Sequence, residues 1–148
     1  MKPDKTLEIS LFLIRISTAA FFLVWSIGKL VAVELTQTIA QTFYSSSLSI
    51  PGPVAAVIGI LQLAIVLVFL AGLLKTWSYG AVLGMHAVSV LVAHGPLLDP
   101  YTPPNTLFWA GVPTLGAIIA LFLLRDRDQL FTLEQPHRSR PENDNATV

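Results

Sequence analysis

Four long apolar runs dominate the chain: Leu7 to Val33, Val54 to Leu74, Tyr79 to Ala93 and Leu107 to Leu124. Short segments rich in Pro, Ser and aromatic residues separate them. A helix needs about 20 mainly apolar residues to cross roughly 30 Å of hydrocarbon. The first two runs meet that length, and the last two sit at its lower edge. None alternates with the two-residue period of barrel strands, and only helices and closed barrels satisfy every backbone group in lipid. The pattern predicts an all-α integral membrane protein built as an antiparallel four-helix bundle.

The connections carry their own signals. Leu35, Ile39 and Phe43 recur at steps of four among Thr36, Gln37, Thr38, Gln41 and Thr42. One apolar stripe on a polar background describes either an interfacial helix between the first two crossings or a polar loop with chance spacing. Ser45 to Ser47 and Pro51-Gly52-Pro53 then break the chain before the second crossing. The segment from His94 to Asn105 holds Pro96, Pro100, Pro103 and Pro104, which predicts a stiff, extended cap without helix. Past Leu124, Arg125-Asp126-Arg127-Asp128 reads as a charged stop, and from Gln135 no apolar cluster offsets the cost of ordering. The expected division is a transmembrane domain over residues 1–134 and a disordered cytoplasmic tail over 135–148.

Composition agrees with the pattern. The mean hydropathy is +0.67, and only 12% of the 148 residues are charged against about 25% in soluble domains. That length leaves room for one compact domain. A net charge of +0 argues against nucleic acid as a partner. The chain has no cysteine, which excludes dithiol relays, thiolate-held clusters and cysteine-based zinc sites. Lys2 and Lys5 precede an apolar stretch, as in a signal peptide, but that stretch is about twice the usual length and is interrupted by Arg15. A retained first helix is expected.

Four crossings gather Lys2, Lys5, Lys75, Arg125, Arg127, Arg138 and Arg140 on one side, whereas residues 34–53 and 93–106 contain no Lys or Arg. The positive-inside rule then puts both termini in the cytoplasm of a bacterial cell. Trp77 and Tyr79 would mark the inner interface, and Tyr44, Tyr101 and Trp109 the outer one.

Polar groups inside a membrane are costly, so they point to function or to packing. Glu8, Arg15, Thr18, Phe22, Ser26 and Lys29 fall on one stripe of the first helix. Arg15 lies about 12 Å along that helix from Leu7 at ~1.5 Å per residue. It could snorkel inward, pair with Glu8 or find an acceptor in the bundle. Gln62 and His86 are the strongly polar side chains of the second and third helices and fall near the same depth, within reach of a mutual hydrogen bond. Arg15, Lys29, Gln62 and His86 are the candidate ligand-binding residues. Haem fits poorly, because His86 and His94 share one helix and His137 is in the tail. No spacing supports a metal site from Glu34, His94 and Asp99. Gly80 and Gly84 form a G-x-x-x-G step that can serve the bundle or a homo-oligomer.

These positions give the chain a family likeness. It resembles the DoxX family of small four-helix bacterial membrane proteins over nearly all of Leu7 to Leu133. The matching stretches are Leu13-Ile14-Arg15 through Phe22-Leu23-Val24 to Gly28-Lys29-Leu30, then Gly59-Ile60-Leu61-Gln62 into Leu70-Ala71-Gly72-Leu73. Val112-Pro113 through Leu121-Phe122-Leu123-Leu124-Arg125 completes them. The resemblance implies a non-catalytic membrane subunit associated with redox proteins, near quinone. Position 62, often a carboxylate in proteins of that pattern, is Gln62 here, so any proton or cation handling by that carboxylate is in doubt.

Two functional classes follow. The first is an accessory subunit of a redox assembly with no intrinsic cofactor, in which Lys29, Gln62 and His86 face quinone carbonyls. Quinone reduction needs an electron donor that this sequence does not supply. The second is a small transporter or lipid-handling protein whose first helix lines a path; against both stands a purely structural membrane protein, which would show Arg15 and Lys29 fully satisfied and no pocket.

Overall fold

The computed structural model describes residues 5–43 and 49–134, and these form helices without strands. In chain order they are α1 (Lys5–Val31), α2 (Val33–Phe43), α3 (Gly52–Leu70), α4 (Lys75–Val92), α5 (His94–Leu98) and α6 (Gly111–Leu123). Short 3₁₀ turns cover Asn105–Ala110, leading into α6, and Arg125–Arg127 after it. Tyr44, the breaker at Ser45 to Ser47 and the tail over 135–148 lie outside the described residues.

Three helices among the described residues are long and apolar enough to cross a membrane: α1, α3, and the 19-residue helix Asn105–Leu123 that includes α6. The fourth, α4, is 18 residues long but carries Lys75, Thr76, Ser78, His86 and Ser89, and it falls outside that set. It nevertheless shares the core. Leu11, Ala19 and Phe22 of α1 are buried with Val66 and Phe69 of α3, Tyr79 and Val82 of α4, and Ile118 and Leu121 of α6. The inward stripe of α1 is Leu11, Arg15, Thr18, Ala19, Phe22 and Ser26, close to the one its spacing predicts.

Contacts at the two ends give the directions. The start of α4 meets the end of α6, where Gly80 packs beside the Phe122 ring. The end of α4 meets the start of α6, with Val90 against Gly111 and the His86 ring on the Gly111 carbonyl. The two helices are antiparallel along their length. A similar pairing holds between α1 and α3. A Cβ on Gly59 would lie 3.0 Å from Lys29 and Leu30 side chains and 3.1 Å from the Ser26 carbonyl oxygen, so only glycine allows that approach. Thirteen positions later, Gly72 lies against Arg15.

Helix α3 ends earlier than the apolar run suggests. Gly72 takes φ +63°, its N–H bonds the Phe69 carbonyl, and the Leu73 N–H bonds the Val68 carbonyl. This is the paired closure expected of a left-handed glycine cap. The second run therefore spends its last residues on the turn into α4.

Two connections differ from expectation. Residues 94–98 form a short helix despite Pro96, because a proline in the first helical turn gives up an N–H that has no partner there anyway. The segment over 33–43 is a helix; among its described side chains Ala40 is buried, Ile39 is half-buried and Leu35 is 55% exposed. The Leu35 edge faces outward and the small residue faces the bundle.

Candidate functional site

Where the α3–α4 turn meets the chain leaving α6, four polar side chains are buried together. Arg15 and Asp128 are wholly buried, and Tyr79 and Lys75 nearly so. The guanidinium Nη1 of Arg15 donates to Asp128 Oδ2 at 3.1 Å and lies 3.3 Å from the Tyr79 hydroxyl. Tyr79 donates to the same carboxylate oxygen at 2.7 Å. Nη2 of Arg15 donates to the backbone carbonyls of Leu130 at 2.6 Å and Phe131 at 3.2 Å. Lys75 Nζ donates to the Asp128 backbone carbonyl at 2.7 Å.

The local backbone makes this possible. After α6 the chain turns through Arg125–Arg127 and runs back across the end of the bundle as a strap, residues 128–134. The Leu133 N–H donates to the Ala71 carbonyl at 2.9 Å. The Lys75 N–H donates to Glu134 Oε2 at 3.1 Å, which sets a carboxylate at the N-terminus of α4, where the helix dipole favours it. Phe131 sits at φ +51°, a left-handed conformation that bulky side chains seldom adopt. Gly72 leaves the space for Arg15: a Cβ there would lie 2.8 Å from Nη1 and 2.6 Å from Thr132.

Arg15 thus neither snorkels nor pairs with Glu8. A carboxylate 113 residues away in sequence reaches it, because the strap carries Asp128 under the bundle, out of the solvated stop that Arg-Asp-Arg-Asp suggests. Tyr79, expected at an interface, is instead 1% exposed and turned into the bundle, whereas Trp77 is 79% exposed. Among the described residues, two atoms of the cluster have no hydrogen-bond partner, Arg15 Nε and Asp128 Oδ1.

The other candidate residues lie apart from this cluster. His86 is buried between the edges of Phe21 and Phe22, with ring centroids 5.9 and 6.1 Å away. Its Nε2 lies 2.9 Å from the Gly111 carbonyl oxygen. A carbonyl only accepts, so Nε2 carries the hydrogen, and in the uncharged ring Nδ1 is left as an acceptor. That atom is buried without a partner among the described residues. The expected His86–Gln62 hydrogen bond is therefore not made. The helix that meets His86 is α6, and it supplies a backbone oxygen that side-chain spacing cannot reveal. Gln62 is half-buried on α3. Lys29 is half-buried on α1 and bends back to the Trp25 carbonyl at 3.3 Å. Asp128, Tyr79 and Lys75 are what sequence reasoning missed as a group, although the lone buried arginine was a signal that a carboxylate had to be found for it.

The Gly80–Gly84 step divides between two environments. Gly80 faces Phe122, while nothing lies within 4 Å of a Cβ placed on Gly84. Among the described residues no group of three His, Asp or Glu side chains could hold a metal ion. An open concavity of about 550 Å³ lies beside α2, lined by Glu34, Gln37, Thr38 and Gln41 with Val33 and Ile50.

Fold and site describe a helical protein with a buried ionic cluster at one end and helices suited to a membrane. Compared with family models, with curated proteins and with solved structures, the chain finds no match in any of the three.

Proposed function

We propose that this chain is a four-span membrane protein with both termini cytoplasmic, acting as a DoxX-like, non-catalytic subunit of a redox assembly in a bacterial inner membrane. The observation that carries the reading is how the polar interior is spent. Arg15, Tyr79, Lys75 and Asp128 bond chiefly to one another and to strap carbonyls, and many large apolar side chains are exposed on the outside of the helices. Such a bundle is a scaffold for lipid and partner proteins.

The packing of α4 supports a fourth span. It runs antiparallel to α6, beginning at the end of that helix and finishing at its start. If α6 crosses the bilayer, α4 crosses it too, with His86 and the strongly polar groups of its first turn turned inward. Lys5, Lys75, Arg125 and Arg127 favour the cytoplasm for the strap end. On this orientation the outward Leu35 edge of α2 suits the outer interface.

The redox partner rests on the resemblance to DoxX proteins. Quinone contact rests on Lys29, Gln62 and His86, with one refinement. Because Nδ1 of His86 is an acceptor, it pairs with the hydroxyl of the reduced form, whereas Lys29 and Gln62 can donate to a carbonyl. Transport along the α1 stripe is the weaker reading, since the strap lies across the inner end of that stripe at Arg15. Purification from native membranes in mild detergent, with bound proteins and lipids identified by mass spectrometry, tests the proposal. An oxidoreductase or quinone enriched with the intact protein is expected. Recovery of the intact protein with neither would reject the redox reading.

A further inference from the structure

The ionic cluster is under-filled, and the pattern of what is missing points to a ligand. Two basic side chains, Arg15 and Lys75, are buried beside a single buried carboxylate. Of that carboxylate, Oδ2 accepts from both Tyr79 and Arg15, while Oδ1 has no partner among the described residues. Arg15 in turn engages Asp128 through Nη1 alone and leaves Nε, a donor on its fork, without a partner among the described residues. Lys75 Nζ donates to the backbone oxygen of Asp128 and not to its carboxylate. A guanidinium and a phenol meeting at one carboxylate oxygen, with an ammonium on the backbone oxygen of the same residue, can serve an anion with several oxygens better than one monodentate carboxylate.

The carboxylate also arrives on a segment attached in a particular way. Residues 128–134 are tied to the bundle by polar contacts at Arg15, Lys75, Tyr79 and the Ala71 carbonyl. Of their large apolar side chains, Phe131 is 76% and Leu133 71% exposed, while Leu130 is half-buried and the Phe131 ring lies 5.3 Å from that of Phe12. Charge and hydrogen bonds thus carry a large share of strap docking. Its backbone holds Phe131 in the left-handed region, a conformation that release would relax.

We propose that Arg15, Lys75 and Tyr79 form an anion cradle for a phosphate group, and that Asp128 is the built-in competitor that occupies it when the strap is docked. Phosphate entry displaces Asp128, fills the open donor position at Nε and frees the strap. Two sources supply such a group at the inner surface of a membrane, a phospholipid headgroup and free phosphate. The proposal goes beyond the redox reading and does not depend on it.

The experiment uses the full chain in detergent, since it contains no cysteine and one introduced thiol reports alone. In a Leu130→Cys chain, the maleimide labelling rate reads whether the strap is docked. Inorganic phosphate should accelerate labelling saturably, while chloride at equal ionic strength should not. Adding Asp128→Asn removes the tethered competitor, whose effective concentration is on the order of millimolar; half-saturation should then fall at least about tenfold, read as a phosphate-dependent rise in melting temperature. Adding Arg15→Gln should abolish both responses. Repeating the labelling in nanodiscs of phosphatidylglycerol and in a phosphate-free glycolipid separates the sources: acceleration by the phospholipid alone assigns the headgroup, and acceleration only on adding phosphate assigns the free ion. If Asp128→Asn does not fold, the labelling arm on the chain with Asp128 intact decides the matter. Labelling that ignores phosphate in every medium, or a response that survives Arg15→Gln, would overturn the proposal.

Discussion

Arg15 shows how far a single residue can be read and where reading stops. An arginine within an apolar helix had to be satisfied or snorkel, and its stripe placed it inward; both follow from spacing and cost. Its partner was not legible, because Asp128 sits in an Arg-Asp-Arg-Asp run that looks solvated and is brought home only by a turn in the chain. Removing one member of a buried pair costs about 3–5 kcal/mol, since the other charge is left without compensation. Asp128→Ala is therefore expected to lower stability by that order in a detergent unfolding titration, whereas Arg15→Met combined with Asp128→Leu should cost less than Asp128→Ala alone. Equal losses in the two would mean that the pair is not what holds the strap. His86 is a milder case. His86→Phe keeps a ring between Phe21 and Phe22 and removes the bond to the Gly111 carbonyl, a loss of roughly 0.5–1.5 kcal/mol. It should leave the fold and assembly intact and lower quinone binding by the native-membrane complex; unchanged binding would remove His86 from any quinone site.

Among elements, those with long apolar periods were the legible ones. Helices α1, α3 and α6 follow their runs, though α3 stops at Leu70 and α6 is preceded by a 3₁₀ turn over Asn105–Ala110, and the inward face of α1 follows its polar stripe. The connections were less so, for local reasons. A proline count cannot say that Pro96 falls in a first helical turn, where it is harmless, and a spacing of Leu35, Ile39 and Phe43 cannot say which face turns to the bundle. The close-packed glycine was also misplaced. G-x-x-x-G pointed to Gly80 and Gly84, but the tight approach between helix backbones is that of Gly59, on α3, against α1. Gly59→Val should disrupt the α1–α3 contact and cost on the order of 1–3 kcal/mol, as overpacking does. Gly84→Val adds its side chain to open space and should leave monomer stability within about 0.5 kcal/mol. That variant isolates the homo-oligomer question: a shift from dimer to monomer on cross-linking would place Gly84 in an interface, and no shift would leave the step without an oligomeric role.

At the scale of the whole molecule, the central claim is that the chain crosses the membrane four times with the strap inside. Hydropathy alone finds three helices able to cross, because the residues that make α4 useful to the bundle also make it look polar. The antiparallel pairing of α4 with α6 is what the proposed fourth span rests on, and the absence of native cysteine makes the claim open to direct test. Single cysteines at Thr102, between α5 and the last helix, and at Ser139, beyond the strap, can each be probed with an impermeant maleimide in cells whose inner membrane is intact. Four crossings predict that Thr102→Cys is labelled from the periplasm and that Ser139→Cys is labelled only after the inner membrane is permeabilised. With the N-terminus inside and α4 failing to span, both results invert: Ser139→Cys reacts from outside and Thr102→Cys is protected, and that pair of results would contradict the account.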